Sequence, residues 1–183
     1  MDMYTLRVTR VPENGTLKEK ALALSLDELG LGEPFEAPGA TVSYELTRMM
    51  GKVFGKVQAQ ARAKQLCGKC LVEYSQALQA DFSVSFEPRP EAGRQHGPVE
   101  EVDVDDASLL LAYFDGEEIP LGEELRQELE LQLPFTPRCR KDCKGLCSQC
   151  GQDLNQADCG HQQGAGSGHF DALREIFTRK KEA

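Results

Sequence analysis

Five of the seven cysteines in this chain fall close together, at Cys139, Cys143, Cys147, Cys150 and Cys159, and His161 follows two positions after the last. Zinc takes thiolate and imidazole donors four at a time in a tetrahedron, and closely paired ligands let a short turn supply two of them without strain. The run C-x3-C-x3-C-x2-C therefore predicts one structural zinc on Cys139, Cys143, Cys147 and Cys150. Cys159 is the substitute if one of these is free, and His161 is a further candidate. Cys147-Ser148-Gln149-Cys150-Gly151 has the form of a zinc knuckle, in which the glycine lets backbone N–H groups point at thiolate sulfur. A second C-x2-C pair, Cys67 and Cys70, lies far upstream. It reads either as a tight turn whose thiols pack locally or as a knuckle that completes a site with Cys147 and Cys150.

Other cysteine chemistries fit less well. An odd number of thiols argues against a disulfide framework. An iron–sulfur cluster would also take four cysteines, but the ferredoxin spacings are absent. A redox pair wants a low-pKa thiolate at a helix start on a βαβ unit, and the sequence offers none. Catalysis finds little else to use. His96 sits in a Pro/Gly-rich stretch, His161 beside the cysteines and His169 before a final helix. Asp103, Asp105 and Asp106 extend an acidic run and read as a solvated face. Gly164-Ala165-Gly166-Ser167-Gly168 has no lysine in phosphate-loop register and reads as a linker. The expectation is a protein that is not an enzyme.

The elements that must position these residues are legible from periodicity. Val42, Tyr44 and Leu46 alternate with polar neighbours, as in a half-buried strand. From Val53 to Lys64 the odd positions are small or apolar while Lys56, Gln58, Gln60, Arg62 and Lys64 occupy the even ones. Leu78, Ala80, Phe82, Val84 and Phe86 alternate again beyond the Cys67–Cys70 turn. Three such runs suggest an antiparallel meander with one face on the core, although the alanines of 57–63 would also suit a helix. Leu109–Phe114 is a short apolar run, and Asp115-Gly116 marks a turn. Pro120 followed by Glu123 and Glu124, with Leu121, Leu125 and Leu129 at four-residue spacing, predicts a helix over 121–132. A last helix is expected near Asp171–Thr178. Tyr4–Arg10 reads as a strand, with a break at Glu13-Asn14-Gly15 and another apolar run at Ala21–Leu26. The expected fold is therefore α+β: a mainly antiparallel sheet or partly closed barrel, two flanking helices and a small zinc-knuckle module. Residues 1–134 would form the β-rich core with an acidic loop at 87–106, and 135–183 the knuckle module and C-terminal helix. Leu78, Phe82, Val84, Phe86, Leu125 and Leu129 should be core.

Charge bounds the partners. The chain has 183 residues and a net charge of −9, the wrong sign for a protein that coats nucleic acid. The acid is local, however: residues 87–130 hold fourteen Asp/Glu against three Lys/Arg. Residues 41–80 carry six basic side chains against two acidic ones, and 131–150 add Arg138, Arg140, Lys141 and Lys144 against Asp142. Lys56, Arg62 and Lys64 lie on the wet face of a strand at a spacing suited to a phosphate backbone, and with the four basic residues around the cysteines they are the RNA-contact candidates. The N-terminus Met1-Asp2-Met3-Tyr4 lacks a basic segment before an apolar one, and no stretch approaches the ~20 apolar residues of a spanning helix, so a cytoplasmic location is expected, with no membrane partner.

Three motifs, in order, resemble one known family. Cys139-Arg-Lys-Asp-Cys143-Lys-Gly-Leu-Cys147-Ser-Gln-Cys150-Gly-Gln-Asp-Leu154-Asn155, after Leu133-Pro134, resembles the C-terminal signature of the YceD-like family, the large ribosomal RNA subunit accumulation proteins. Cys67-Gly-Lys-Cys70-Leu71 is similar to its C-x-R-C-L element, with Lys69 where arginine is usual. Asp115-Gly-Glu-Glu-Ile119-Pro-Leu121 is similar to its D-G-x-x-I-D-L segment. This chain departs from the family at Cys159-Gly160-His161, where many relatives have C-x-C, and at Asp171-Ala172-Leu173-Arg174 in place of D-P-R-L. The resemblance implies a non-enzymatic factor needed for large-subunit ribosomal RNA to accumulate, hence a role in ribosome assembly. The acidic loop, the basic sheet face and the zinc module point to a binding protein, with large-subunit ribosomal RNA or a basic ribosomal protein as the expected partner and no small-molecule substrate. The alternatives from other classes are a thiol-disulfide oxidoreductase using Cys67 and Cys70 and a zinc-ribbon adaptor in transcription.

Overall fold

A computed structural model describes residues 3–89 and 109–161. The expected acidic loop falls mostly outside these residues, and the expected C-terminal helix and the glycine-rich stretch at 164–168 fall wholly outside them. Contacts divide the chain into two units: Met1–Gln65 with Glu73–Pro137, and Leu66–Val72 with the chain from Arg138 onward.

The first unit is built on a five-stranded sheet of order β2-β3-β4-β5-β6, from β2 (Thr16–Leu24), β3 (Ala40–Met49), β4 (Lys52–Leu66), β5 (Glu73–Pro88) and β6 (Leu109–Phe114). A two-stranded sheet joins β1 (Leu6–Arg7) to β7 (Glu118–Ile119). The two helices are α1 (Leu26–Leu29) and α2 (Leu121–Leu131). β4 shows the two-residue burial alternation over nearly its whole length, with Val53, Val57, Ala59, Ala61 and Ala63 inside and Lys56, Gln58, Gln60, Arg62 and Lys64 outside. The alanines are strand residues because small side chains suit the crowded middle of the sheet. Beside them, a Cβ on Gly55 would lie 2.7 Å from Leu46 and 3.2 Å from Val84. Leu78, Phe82, Val84, Phe86, Leu125 and Leu129 are all buried in the core cluster.

Two features depart from the expected fold. The sheet is mixed, because β6 pairs with β5 in parallel register (Ser83 with Leu109 through Pro88 with Phe114). It is also open, with β2 and β6 at opposite edges and no barrel closure. Closure is unnecessary because a helical layer covers the apolar face: Leu29 of α1 and Leu121, Leu125 and Leu129 of α2 are each fully buried in the same cluster as the sheet residues, the usual two-layer solution. The edge strand β2 is further interrupted by a register shift between Glu19 and Leu22, with Ala21 at φ 52°, which blunts it against sheet extension. α1 is closed at its start by a capping box, Ser25 accepting from the Glu28 N–H while the Glu28 carboxylate takes the Ser25 N–H. Among the described residues no helix is long and apolar enough to cross a membrane.

Candidate metal centres

The described part of the second unit, residues 66–72 and 138–161, has little regular structure, and its order comes from turns around sulfur. The two C-x2-C segments are backbone twins. In the first, the Leu71 N–H donates to the Cys67 carbonyl and the Cys67 N–H to the Val72 carbonyl, both at 2.9 Å. In the second, the Gly151 N–H donates to the Cys147 carbonyl at 2.9 Å and the Cys147 N–H to the Gln152 carbonyl at 2.8 Å. Each turn closes on a residue in the left-handed region, Leu71 at φ 58° and Gly151 at φ 73°. This is the knuckle geometry that aims two thiols at one point.

Each knuckle meets a different second pair. Cys67 and Cys70 converge with Cys139 and Cys143, and Cys147 and Cys150 converge with Cys159 and His161; within each group the ligand atoms lie within 4.8 Å of one another. The four cysteines expected to share one zinc are thus divided between two groups, and Cys67 and Cys70 meet the 139–143 segment instead of Cys147 and Cys150. Either group could hold a metal ion, and three of the ligand pairs fall near the edge length of a zinc tetrahedron. Zn–S bonds of about 2.3 Å in a tetrahedron put sulfurs about 3.8 Å apart, and replacing one sulfur by a ring nitrogen shortens that edge to about 3.6 Å. The Cys67–Cys143 and Cys70–Cys139 sulfurs are 3.8 and 3.7 Å apart, and the Cys147 sulfur is 3.8 Å from His161 Nδ1. These separations are far beyond a disulfide bond of about 2.05 Å, and none of the seven cysteines is joined to another by a disulfide.

The surroundings of the first group fix it from several sides. The Lys69 ammonium donates to the Cys143 carbonyl at 3.2 Å, and the Leu146 N–H donates to the Lys69 carbonyl at 3.0 Å. Gly145, at φ 82°, passes so close to that carbonyl that a Cβ there would lie 3.0 Å from it. Asn155 is the organiser. Its Nδ2 donates to the Cys143 sulfur at 3.6 Å and to Asp153 at 2.7 Å, and its Oδ1 accepts from the Lys144 N–H and the Arg140 guanidinium. Outer hydrogen bonds of this kind orient a thiolate and spread its charge. Backbone N–H groups of Cys139 and Cys70 pull the Cys67 thiol down to about 6, while loss of hydration pushes the Cys139 thiol up. A bound dication ionises all of its thiol ligands, whatever their separate tendencies.

An acidic thiol suits redox chemistry too, but Cys67 is fully buried. In this conformation its sulfur is closed to a partner disulfide, and thiol exchange needs that access.

The RNA-contact candidates fall into two environments. On the outer face of the sheet, Lys64 pairs with Glu73 at 2.8 Å, and Arg62 faces Glu36 at 3.7 Å and donates to Ser75. Lys56 makes no ion pair with a described residue. In the second unit Arg138, Arg140, Lys141 and Lys144 are all at least partly exposed, and of these Arg140 has a carboxylate partner, Asp142 at 3.6 Å. Sequence reasoning left open the roles of Cys67, Cys70, Cys159 and His161, all four of which stand in the two groups, and passed over Asn155 and Asp153. The signal for the first pair was present in the matching C-x2-C spacing.

Comparison with known proteins agrees with this reading of the motifs. Residues 55–177 match the family model described as large ribosomal RNA subunit accumulation protein YceD. A chloroplastic protein of Arabidopsis thaliana, described as a homolog of that protein, is 34% identical over 67 residues, which is 35% of this chain and 21% of the plant protein. An uncharacterized protein of Mycobacterium tuberculosis is 46% identical over 46 residues, 25% of this chain and 22% of its own length. The chain thus spans about a fifth of the length of these curated relatives. No solved structure matches it. With more than half of its length inside the family model, including both knuckles and the segments that meet them, the chain belongs to the YceD family.

Proposed function

We propose that this protein is a non-enzymatic factor for accumulation of large-subunit ribosomal RNA, and that it acts by binding that RNA through the basic rim of its second unit. The observation that carries the reading is the contrast between the two basic clusters. Arg62 and Lys64 on the sheet already face carboxylates, so their charge is largely spent within the protein. Arg138, Lys141 and Lys144 make no ion pair with a described residue and flank Cys139 and Cys143 in the chain. Zinc held by Cys67, Cys70, Cys139 and Cys143 would fix the backbone carrying these side chains, and the −2 charge of such a site is offset by the same basic residues. The ion's contribution is structural, and the protein's own Lys69 and Asn155 hold the segment in register around it. Lys56 remains a secondary contact on the sheet.

The test is RNA binding by the full chain as a function of salt, paired with crosslinking in cells. The triple variant Arg138→Ala, Lys141→Ala, Lys144→Ala should bind large-subunit RNA more weakly and flatten the salt dependence by about 2–3 in slope, since each lost phosphate contact contributes roughly 0.7–0.9. An unchanged slope, or crosslinks in cells to a ribosomal protein and none to RNA, would overturn the RNA surface.

A further inference from the structure

We infer that the chain binds a second zinc ion, on Cys147, Cys150, Cys159 and His161, and that this ion exchanges more readily than the one held by Cys67, Cys70, Cys139 and Cys143. Three observations carry the site. The Cys147 knuckle repeats the hydrogen bonds of the Cys67 knuckle atom for atom, including the left-handed closing residue. Its thiols meet a complementary pair, because Asp158 accepts the Gly160 N–H at 2.9 Å and Gly160 takes φ 72°, so that Cys159 and His161 come round to the same side. The four ligand atoms then lie within 4.8 Å of one another, and the Gln149 N–H donates to the Cys147 sulfur at 3.5 Å. Three thiols and one imidazole are a zinc donor set, whereas calcium and magnesium take oxygen ligands. On binding, Zn2+ displaces three thiol protons and takes the neutral imidazole, leaving a site of net charge −1.

Burial and chain span make the centres unequal. In the first, Cys67, Cys70 and Cys143 are buried. In the second, Cys150 and His161 are exposed, and Cys147 is the one buried ligand. A chelator can therefore begin substitution at the second ion from solvent, whereas the first requires prior opening of the turns around it. The second centre is also local, with all its ligands between positions 147 and 161, so it can refill without rebuilding contacts to a distant segment.

Metal content tests the second centre independently of RNA binding. Full-length protein purified without chelator should contain two zinc ions by elemental analysis and native mass spectrometry. Cys150→Ser with Cys159→Ser should lower this to one, and Cys67→Ser with Cys70→Ser should also leave one. Timed addition of a chelator to the wild type should release zinc in two phases, and the fast phase should be missing from the Cys150/Cys159 variant. One ion in the wild type that survives in the Cys150/Cys159 variant overturns the second centre. One ion lost from both variants also overturns it, since it would mean a single shared site. If a variant fails to fold, cobalt loading of His161→Cys decides. A red shift in the ligand-field bands of one of two equivalents supports ligation by residue 161, and a spectrum identical to the wild type's overturns it.

Discussion

Leu71 occupies a backbone conformation that its counterpart Gly151 adopts without cost. At φ 58° its Cβ crowds the neighbouring carbonyl, a penalty of roughly 1–2 kcal/mol for an L-residue. The side chain recovers little, being 58% exposed. Strain kept at such a position persists where the surroundings over-determine it, and here two backbone hydrogen bonds and two thiols do so. Leu71→Gly should therefore raise the stability of the metal-loaded protein by about 1 kcal/mol, less the extra freedom glycine gains in the unfolded chain. The rise should be visible as a higher Tm. A lower Tm would mean that the leucine side chain makes a contact worth more than the strain.

At the scale of elements, α2 carries one carboxylate at odds with its packing. Glu124 is partly buried, and loss of hydration, followed by the charges of Glu123 and Glu128, raises its carboxyl pKa above the ordinary value. A raised acid pKa means the residue's stabilising contribution is intact below the unfolded-state value and is lost as pH rises through the folded-state value. Glu124→Gln should thus be more stable than the wild type near neutrality, with the gap closing on acidification toward about pH 4, the range of an ordinary carboxylate. Thermal melts of both proteins across that range check it; equal Tm values at neutral pH would reject it. The same scale shows what the sequence could and could not convey. Period-two alternation located β3, β4 and β5, even through the alanines, because burial on one face is a local pattern. It could not locate the parallel partnership of β6, since a short apolar run looks the same beside any neighbour. Nor could cysteine spacing say which pairs meet. A knuckle fixes two ligands, and the other two are chosen by how the chain folds back. The glycine after Cys150 advertised its left-handed turn, whereas Leu71 concealed an identical one.

For the whole molecule, the division of labour is between a unit with an apolar core and a second unit whose described part has turns in place of a core. Ligand-free, that described part has little apolar burial to offset chain entropy. Exhaustive chelation should then expose residues 66–72 and 138–161 to hydrogen exchange while amides of β3, β4 and β5 stay protected. Uniform loss of protection across both units would show that the sheet also depends on the metal. The all-cysteine group has a further consequence for how the protein is made. Cys70 and Cys139 are 69 positions apart, and translation adds about 5–20 residues per second. A nascent chain accordingly carries the first knuckle as a half-site for about 3–14 s before its partners emerge. During that interval two bare thiols are open to oxidation, or to ligating metal from the wrong source, and the order in which cysteines leave the ribosome becomes a determinant of which centre is assembled correctly.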